Sequence, residues 1–285
     1  MLEIVHAHPN EREEIAQFMQ DSFPRAKWPR SGWDALLSGR WSEPGDSYAI
    51  TVRDAGKLIG VLGLVTATRQ TTNGLAKTSN MSSWYVDKTY RGQGVGRKML
   101  ELATADPEIT ITNFSSARGA VPLIERAGFS ELDSERSIWR PSGGSVRLPV
   151  NEAPLLLGEA LCETDRRTLA DHAGLDLKTV AVETPDGHCV LVMSVKQKHD
   201  AYVTYEVMYL GDRALFARHA RAIADSILPV ENAVLSVDRR FVSPNVVPDA
   251  RECIAVPRFY TAGRMPAEDV DHLYSEIVLL NLKMY

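Results

Sequence analysis

The chain has 285 residues, of which 44% are hydrophobic, 7% aromatic and 24% charged. These are globular proportions, and they exclude collagenous, low-complexity and wholly disordered chains. Residues 1–140 hold 17 basic and 17 acidic side chains, whereas residues 141–285 hold 15 and 20, so the whole net charge of −5 lies in the second half. No basic stripe predicts a nucleic-acid partner.

Cys162, Cys189 and Cys253 lie far apart, in no CxxC or Cys/His spacing. Such a sparse, odd set predicts reduced thiols in a cytoplasmic protein and no metal site. The opening MLEIVHAHPN lacks the basic and apolar regions of a signal peptide. The longest clearly apolar run, at 58–65, is far short of the ~20 residues that cross a bilayer, so no membrane contact is expected. The length suits one large domain or two of about 140 residues.

Along the chain, a strand at 3–7 precedes a helix opening near Asn10, where Asn10 and Glu13 have capping-box spacing. Ile15, Phe18 and Met19 share a face of that helix, and a second short helix is expected around 32–37. Two strands at 47–53 and 57–66 are joined by the hairpin turn Asp54-Ala55-Gly56. A polar stretch at 69–77 leads to a strand at 81–86 and a helix at about 94–105, with Val95, Met99 and Leu102 on one side. A strand at 109–113, a helix at 120–127 and short strands at 129–132 and 137–140 follow. This order predicts an α/β (α+β) architecture, a mixed sheet with helices packed on it, neither doubly wound nor a barrel.

Pro141-Ser142-Gly143-Gly144-Ser145 reads as a linker, dividing the chain into domains at 1–140 and 146–285. Beyond it the order partly repeats. Helical material at 152–173 precedes a hairpin of strands at 179–183 and 189–195 around Pro185-Asp186-Gly187. A strand at 202–209, a helix starting near Asp212, a strand at 232–237 and a helix at 267–280 complete the chain. The recurrence of β-β-β-α-β points to two copies of one architecture.

Chemistry concentrates in Trp84-Tyr85-Val86-Asp87-Lys88-Thr89-Tyr90-Arg91-Gly92-Gln93-Gly94-Val95-Gly96-Arg97. A strand end, a polar turn and a glycine-rich loop open a helix, whose first N–H groups lack internal partners and carry the positive end of the dipole. Glycines admit close approach and positive φ, and Arg91 and Arg97 add cationic donors. The segment reads as a pyrophosphate cradle. Rossmann spacing would place glycine at Arg97, and no GK[ST] is present for a P-loop; the spacing R-x-x-G-x-G of Arg91, Gly94 and Gly96 fits.

That motif, with the surrounding element order, resembles the coenzyme A loop of the GNAT family of N-acetyltransferases. The resemblance covers about residues 1–140 and implies the acyl-CoA N-acyltransferase fold, in tandem with a degenerate second copy. It also implies acetyl-CoA as co-substrate, held by Tyr85, Val86, Arg91, Gly92, Gln93, Gly94, Val95, Gly96, Arg97 and Asn113. The backbone of Tyr85 and Val86 would bond the pantetheine arm, with Asn113 and Ser116 near the thiol. Glu125-Arg126-Ala127-Gly128-Phe129 resembles the family's second cofactor segment.

Two positions depart from the family pattern. Ile124 stands where many members place a tyrosine acid, and Asn80, Met81 and Ser82 stand where several carry a carboxylate base. Acid and base are therefore not assignable by transfer. The nearby hydroxyls are those of Tyr85, Tyr90, Ser83 and Ser116, with Tyr85 and Ser116 carried forward as catalytic candidates.

Elsewhere, His6 and His8 flank a cleft edge or are simply solvated, and Trp28, Trp33 and Trp41 wall an acceptor site or anchor a small helix. His188-Cys189 lacks an oriented partner for nucleophilic work. Asp212 would repel a pyrophosphate and reads as an N-cap, so the second half is expected to line the substrate cleft, pair sheets or form a homodimer. The sequence predicts an acetyl-CoA-dependent N-acetyltransferase acting on a small-molecule amine by direct attack. A non-catalytic acyl-CoA-binding or sensing protein and a scaffold with a merely structural loop are the alternatives.

Overall fold

Strand β1 (Leu2–His6) runs antiparallel to β2 (Ala49–Asp54), and the chain between them supplies helices α1 (Arg12–Ser22) and α2 (Arg30–Leu37). The computed structural model describes residues 1–71, 73–144, 146–198, 202–263 and 265–284. The helical entry is capped earlier than the sequence suggests. Glu11, rather than Glu13, closes the box, its carboxylate accepting the His8 N–H at 2.5 Å, and a 3-10 turn at Pro9–Glu11 precedes α1.

Strands β3 (Lys57–Thr71) and β4 (Gly74–Val86) form one long antiparallel hairpin so that, with Thr72 outside the described residues, the polar stretch at 69–77 is strand at 69–71 and 74–77. Its polar side chains find partners there: Lys77 Nζ lies 2.7 Å from Asp46 Oδ1, and the Arg69 guanidinium sits over the Tyr274 ring at 4.6 Å. Helix α3 (Val95–Ala103), strand β5 (Ile109–Asn113) and helix α4 (Val121–Arg126) follow. Pro122 is in the first turn of α4, where its missing N–H costs no helical bond.

The two short strands expected near 129–140 are one, β6 (Ser130–Trp139). Then come β7 (Val150–Asn151), α5 (Glu163–Asp171), β8 (Lys178–Thr184), β9 (Gly187–Lys198), β10 (Tyr202–Leu210), α6 (Arg213–Ile227) and β11 (Ala233–Asp238). Strand β12 (Ala250–Tyr260) was not evident in the sequence, and Pro257 within it argues against a strand on propensity alone. The long terminal helix expected at 267–280 is absent. In its place are a 3-10 turn at Ala267–Asp269, an irregular run in which Tyr274 has φ +55°, and one helical turn, α7 (Glu276–Leu279).

The chain forms two units that are not consecutive in sequence. The first comprises Met1–Leu132, Val256–Val270 and Tyr274–Leu282; the second comprises Asp133–Ala255, Asp271–Leu273 and Lys283–Tyr285. The sequence reading placed its division at 140–146. Ser142 in that stretch is tied down, its N–H bonding Asp225 Oδ1 at 2.7 Å and its Oγ bonding Oδ2 at 2.5 Å; Ser145 lies outside the described residues.

Within the first unit the strand order is β1-β2-β3-β4-β5, followed by the 256–260 portion of β12, which pairs antiparallel with β5 through Phe259↔Asn113 and Tyr260↔Thr112. One face buries Ile15, Met19, Trp33, Leu36 and Leu37 of α1 and α2. The other buries Val95, Met99, Leu100 and Ile124 of α3 and α4. Trp33 is 1% exposed and stacks edge-on with Trp28, so these tryptophans anchor α2 to its core.

Within the second unit the order is β6-β11-β10-β9-β8-β7. Its core gathers Trp139, Val180, Leu191, Phe216, Ile223 and Leu235. The internal plan repeats that of the first unit. In each, an antiparallel hairpin strand pairs in parallel with the strand beyond the next helix over four register positions: Lys77↔Ile109 to Asn80↔Thr112 in one, Val203↔Ala233 to Glu206↔Ser236 in the other. In each, an irregularity in the hairpin strand follows soon after, between Val61/Gly63 on β3 and between Val207/Tyr209 on β10. Asp212 is the N-cap of α6, accepting the Leu215 N–H at 2.8 Å. Replacing it by alanine is expected to lower second-unit stability by about 1 kcal/mol, the usual cost of a lost cap, read as a fall in the urea midpoint.

Candidate active site

Strands β4 and β5 part after Asn80↔Thr112. Strand β4 runs six residues further, to Val86, keeping β3 as its partner through Val61↔Tyr85 and Gly60↔Val86. Residues 81–86 therefore have no parallel neighbour on the β5 side, and a wedge opens between the strands. Ser83 sits in it with φ +52°, a left-handed conformation that a non-glycine residue rarely adopts. The register slip between Val61 and Gly63 marks a bulge there, a device that re-aims backbone groups beside functional sites.

At the end of β4, Asp87 accepts both the Thr89 N–H and its hydroxyl, at 2.9 and 2.7 Å, and these bonds hold its carboxyl below the ordinary aspartate range. The tight turn leads into Gly92 and Gly94, each at φ +79°, with open space where a Cβ would stand. Gly94 is the N-cap of α3. The first helix-closing bond runs from Lys98 N–H to Gly94 O at 3.1 Å, which leaves the Val95, Gly96 and Arg97 N–H groups directed out of the helix end. Arg91 Nε donates to the Val86 carbonyl at 2.8 Å, and its guanidinium lies 5.4 Å from the Tyr85 ring centre. The loop is thus fastened to the strand end.

Gly96 has a further role in packing. A Cβ on it would stand 2.8 Å from Trp84 Cζ2, so a bare backbone is what lets α3 lie against β4. Gln93 Nε2 caps the turn at Thr89 O, 2.9 Å away, and Arg97 is exposed beside Glu101. Tyr85 and its neighbours face opposite ways: Tyr85 packs edge-on against Phe18 and Phe23 on the α1 side, while Trp84 and Val86 pack on the α3 side.

Asn113 ends β5, and its Oδ1 accepts the Ser116 hydroxyl at 2.6 Å. Tyr90 donates to Asp54 at 2.9 Å, and the carboxylate raises its hydroxyl pKa, while Ser83 bonds Ser82. Ile124 is fully buried in the α3–α4 core. His6 bonds Ser47 Oγ and His8 bonds Asn10 Oδ1, at 2.9 and 2.7 Å. Among the described residues, no group of three or more His, Cys, Asp or Glu is placed to hold a metal ion.

Sequence reasoning missed Glu276. It is 0% exposed and lies at the crotch of the wedge. Its N–H donates to Oδ1 of Asn80 at 3.4 Å, and Asn80 in turn donates from Nδ2 to Thr112 Oγ1 at 3.0 Å. Its Oε1 accepts the hydroxyl of Ser115, two residues past the end of β5. Its Oε2 has no hydrogen-bond partner among the described residues. Burial lifts its pKa to about 7 against the opposing pull of Ser115 and the N–H groups of Glu276 and Ile277.

The family model for the acetyltransferase (GNAT) domain matches residues 45–131. This stretch is a GNAT acetyltransferase domain. The match takes in β2 to the start of β6, with the wedge and the glycine loop inside it. In structure the chain is similar to a GCN5-related N-acetyltransferase from Anabaena variabilis, at 8% identity and a TM-score of 0.59 over 91% of this chain and 72% of that one. It is also similar to a probable N-acyltransferase of unknown function from Enterococcus faecalis, at 10% identity and 0.56 over 91% and 72%. A GCN5-related N-acetyltransferase from Kribbella flavida follows, at 14% identity and 0.53 over 91% and 70%. These likenesses extend through both units and show the GNAT fold. No curated protein matches the chain.

The second unit repeats the strand plan of the first without the glycine loop. Where the first has glycines, Gly211 is followed by the capping Asp212, and a Cβ on Gly211 would stand 2.3 Å from Asp165 Oδ1. Tyr209 donates to that Asp165 oxygen at 2.6 Å. Two acids at this helix start repel a polyanion. No helix among the described residues is long and apolar enough to cross a membrane.

Glu276 lies outside the 45–131 match, on a segment that joins the GNAT domain from the far end of the chain. Its raised pKa carries a stability signature. Between the unfolded value near 4.5 and the folded value of about 7, the native state holds a proton that the unfolded chain has released. Native stability is expected to fall as pH rises through that window, and Glu276→Gln to flatten the slope, in urea titrations from pH 4.5 to 8.

Proposed function

We propose that the first unit binds acetyl-CoA along the wedge and transfers its acetyl group to the amine of a small-molecule acceptor by direct attack. The observation that carries this reading is the pair of left-handed glycines, Gly92 and Gly94, opening α3 beside strands that have ceased to pair. The residues present fit the co-substrate. The open space above both glycines and the outward N–H groups of residues 95–97 suit a pyrophosphate, with Arg91 and Arg97 at either side. Residues 81–86 of β4 have an unpaired edge that suits the amide-bearing pantetheine arm as an added strand. Acetyl-CoA supplies the activated thioester; the protein's part is to align it and to offer backbone donors to the oxyanion.

A second reading, acyl-CoA binding without transfer, draws support from Ile124, which sits in the core where many relatives of this fold carry an acid.

Acetyl-CoA at a hundredfold excess over its Kd is expected to stabilise the protein by about 2.7 kcal/mol, seen as a rise in Tm. Arg91→Glu should abolish that rise, measured against the variant's own ligand-free Tm. No rise in the wild type would sink both readings. Release of free thiol across a panel of small amines then separates transfer from binding alone.

A further inference from the structure

Glu276 is unusual among the buried carboxylates of this protein in what surrounds it. Glu206 ends the parallel ladder of the second unit, as Asn80 does in the first, and it is paired at 2.9 Å with Arg136 and at 2.8 Å with Lys198. Among the described residues, no cation pairs with Glu276. The charged groups on elements packed near it are Arg69 of β3 over the Tyr274 ring, Lys77 of β4 with Asp46, Arg30 with Asp34 on α2, against which α7 packs, and the buried Arg258 of β12. Strand β5 carries no charge. A buried carboxylate with one oxygen unpaired costs stability, and carboxyls in such surroundings cluster at functional sites.

The residue is anchored to both edges of the wedge: its backbone N–H donates to Asn80 Oδ1, and its Oε1 accepts the Ser115 hydroxyl. We propose that Glu276 is the general base of acetyl transfer. This rests on the acetyltransferase reading of the same site. In the step, the amine nitrogen forms a bond to the acetyl carbonyl carbon and gives its proton to Oε2 of Glu276. The carbon–sulfur bond breaks, its electron pair stays on sulfur, and the thiolate takes the proton back, which restores the carboxylate. Ser115 and Asn80 act as positioning residues, fixing the carboxylate's azimuth and the backbone that carries it. A carboxyl that titrates near 7 is suited to both halves of this exchange at neutral pH.

The test uses the full chain and its Glu276→Gln variant. In the wild type, the infrared band of the protonated carboxyl at Glu276, identified by its absence from the variant, is expected to titrate near neutral pH and to shift when acetyl-CoA is added. The variant should keep the acetyl-CoA rise in Tm, lose roughly 100-fold or more in kcat with the amine that the wild type turns over, and lose the rising limb of the kcat–pH profile. A band indifferent to acetyl-CoA overturns the proposal, as does a variant with wild-type kcat and pH profile. Absence of any acetyl-CoA rise in the wild type, or of turnover with any amine, instead removes the acetyltransferase reading on which the proposal stands.

Discussion

Parallel strands that stop pairing leave two rows of backbone groups facing one another across a gap, and those groups must find other partners. In this protein the gap opens after four register positions, at Asn80↔Thr112. Everything placed around it answers that constraint. The bulge at Ser83 turns the free edge, Arg91 takes the Val86 carbonyl, and the returning segment brings Glu276 to Asn80 and Ser115. The glycine loop then stands at the open end of the wedge and the carboxylate at the closed end.

The second unit shows what the same plan becomes without that task. Its ladder also breaks after four positions, but the carboxylate at the break, Glu206, is neutralised by Arg136 and Lys198. Its helix start is occupied by Asp165 and Asp212. The backbone architecture is retained while the electrostatics are reversed at both ends. Fold and electrostatics separate cleanly here, since the strand register recurs while the helix start does not.

Local features were legible in the sequence because they are local. Arg91, Gly92, Gly94 and the Asp212 cap act within a few residues, and their spacing states their geometry. The hairpin of β3 and β4 was read short because its outer half is polar; Lys77 and Arg69 look like loop residues until Asp46 and Tyr274 are found beside them. Val270, Leu273, Tyr274 and Ile277 have helical spacing, yet the segment is irregular. It is buried on more than one side, so apolar residues occur without an amphipathic stripe, and Tyr274 breaks the helix with a positive φ. Strand β12 carries Pro257 and three exposed residues at its start, which hide it from propensity. Glu276 was invisible for a different reason. Nothing near it in sequence marks it, and its partners are 161 and 196 residues away.

Those separations also order events in time. A chain made from its N-terminus has the glycine loop and both arms of the wedge in hand when residue 115 is complete, and it acquires the carboxylate only 161 residues later. Long-range closure of this kind is entropically costly and comes late in folding. A nascent chain that stops short of residue 276 therefore carries the glycine loop and both strands of the wedge without the carboxylate. In synthesis the loop and the strand ends are complete long before the residue that closes the wedge.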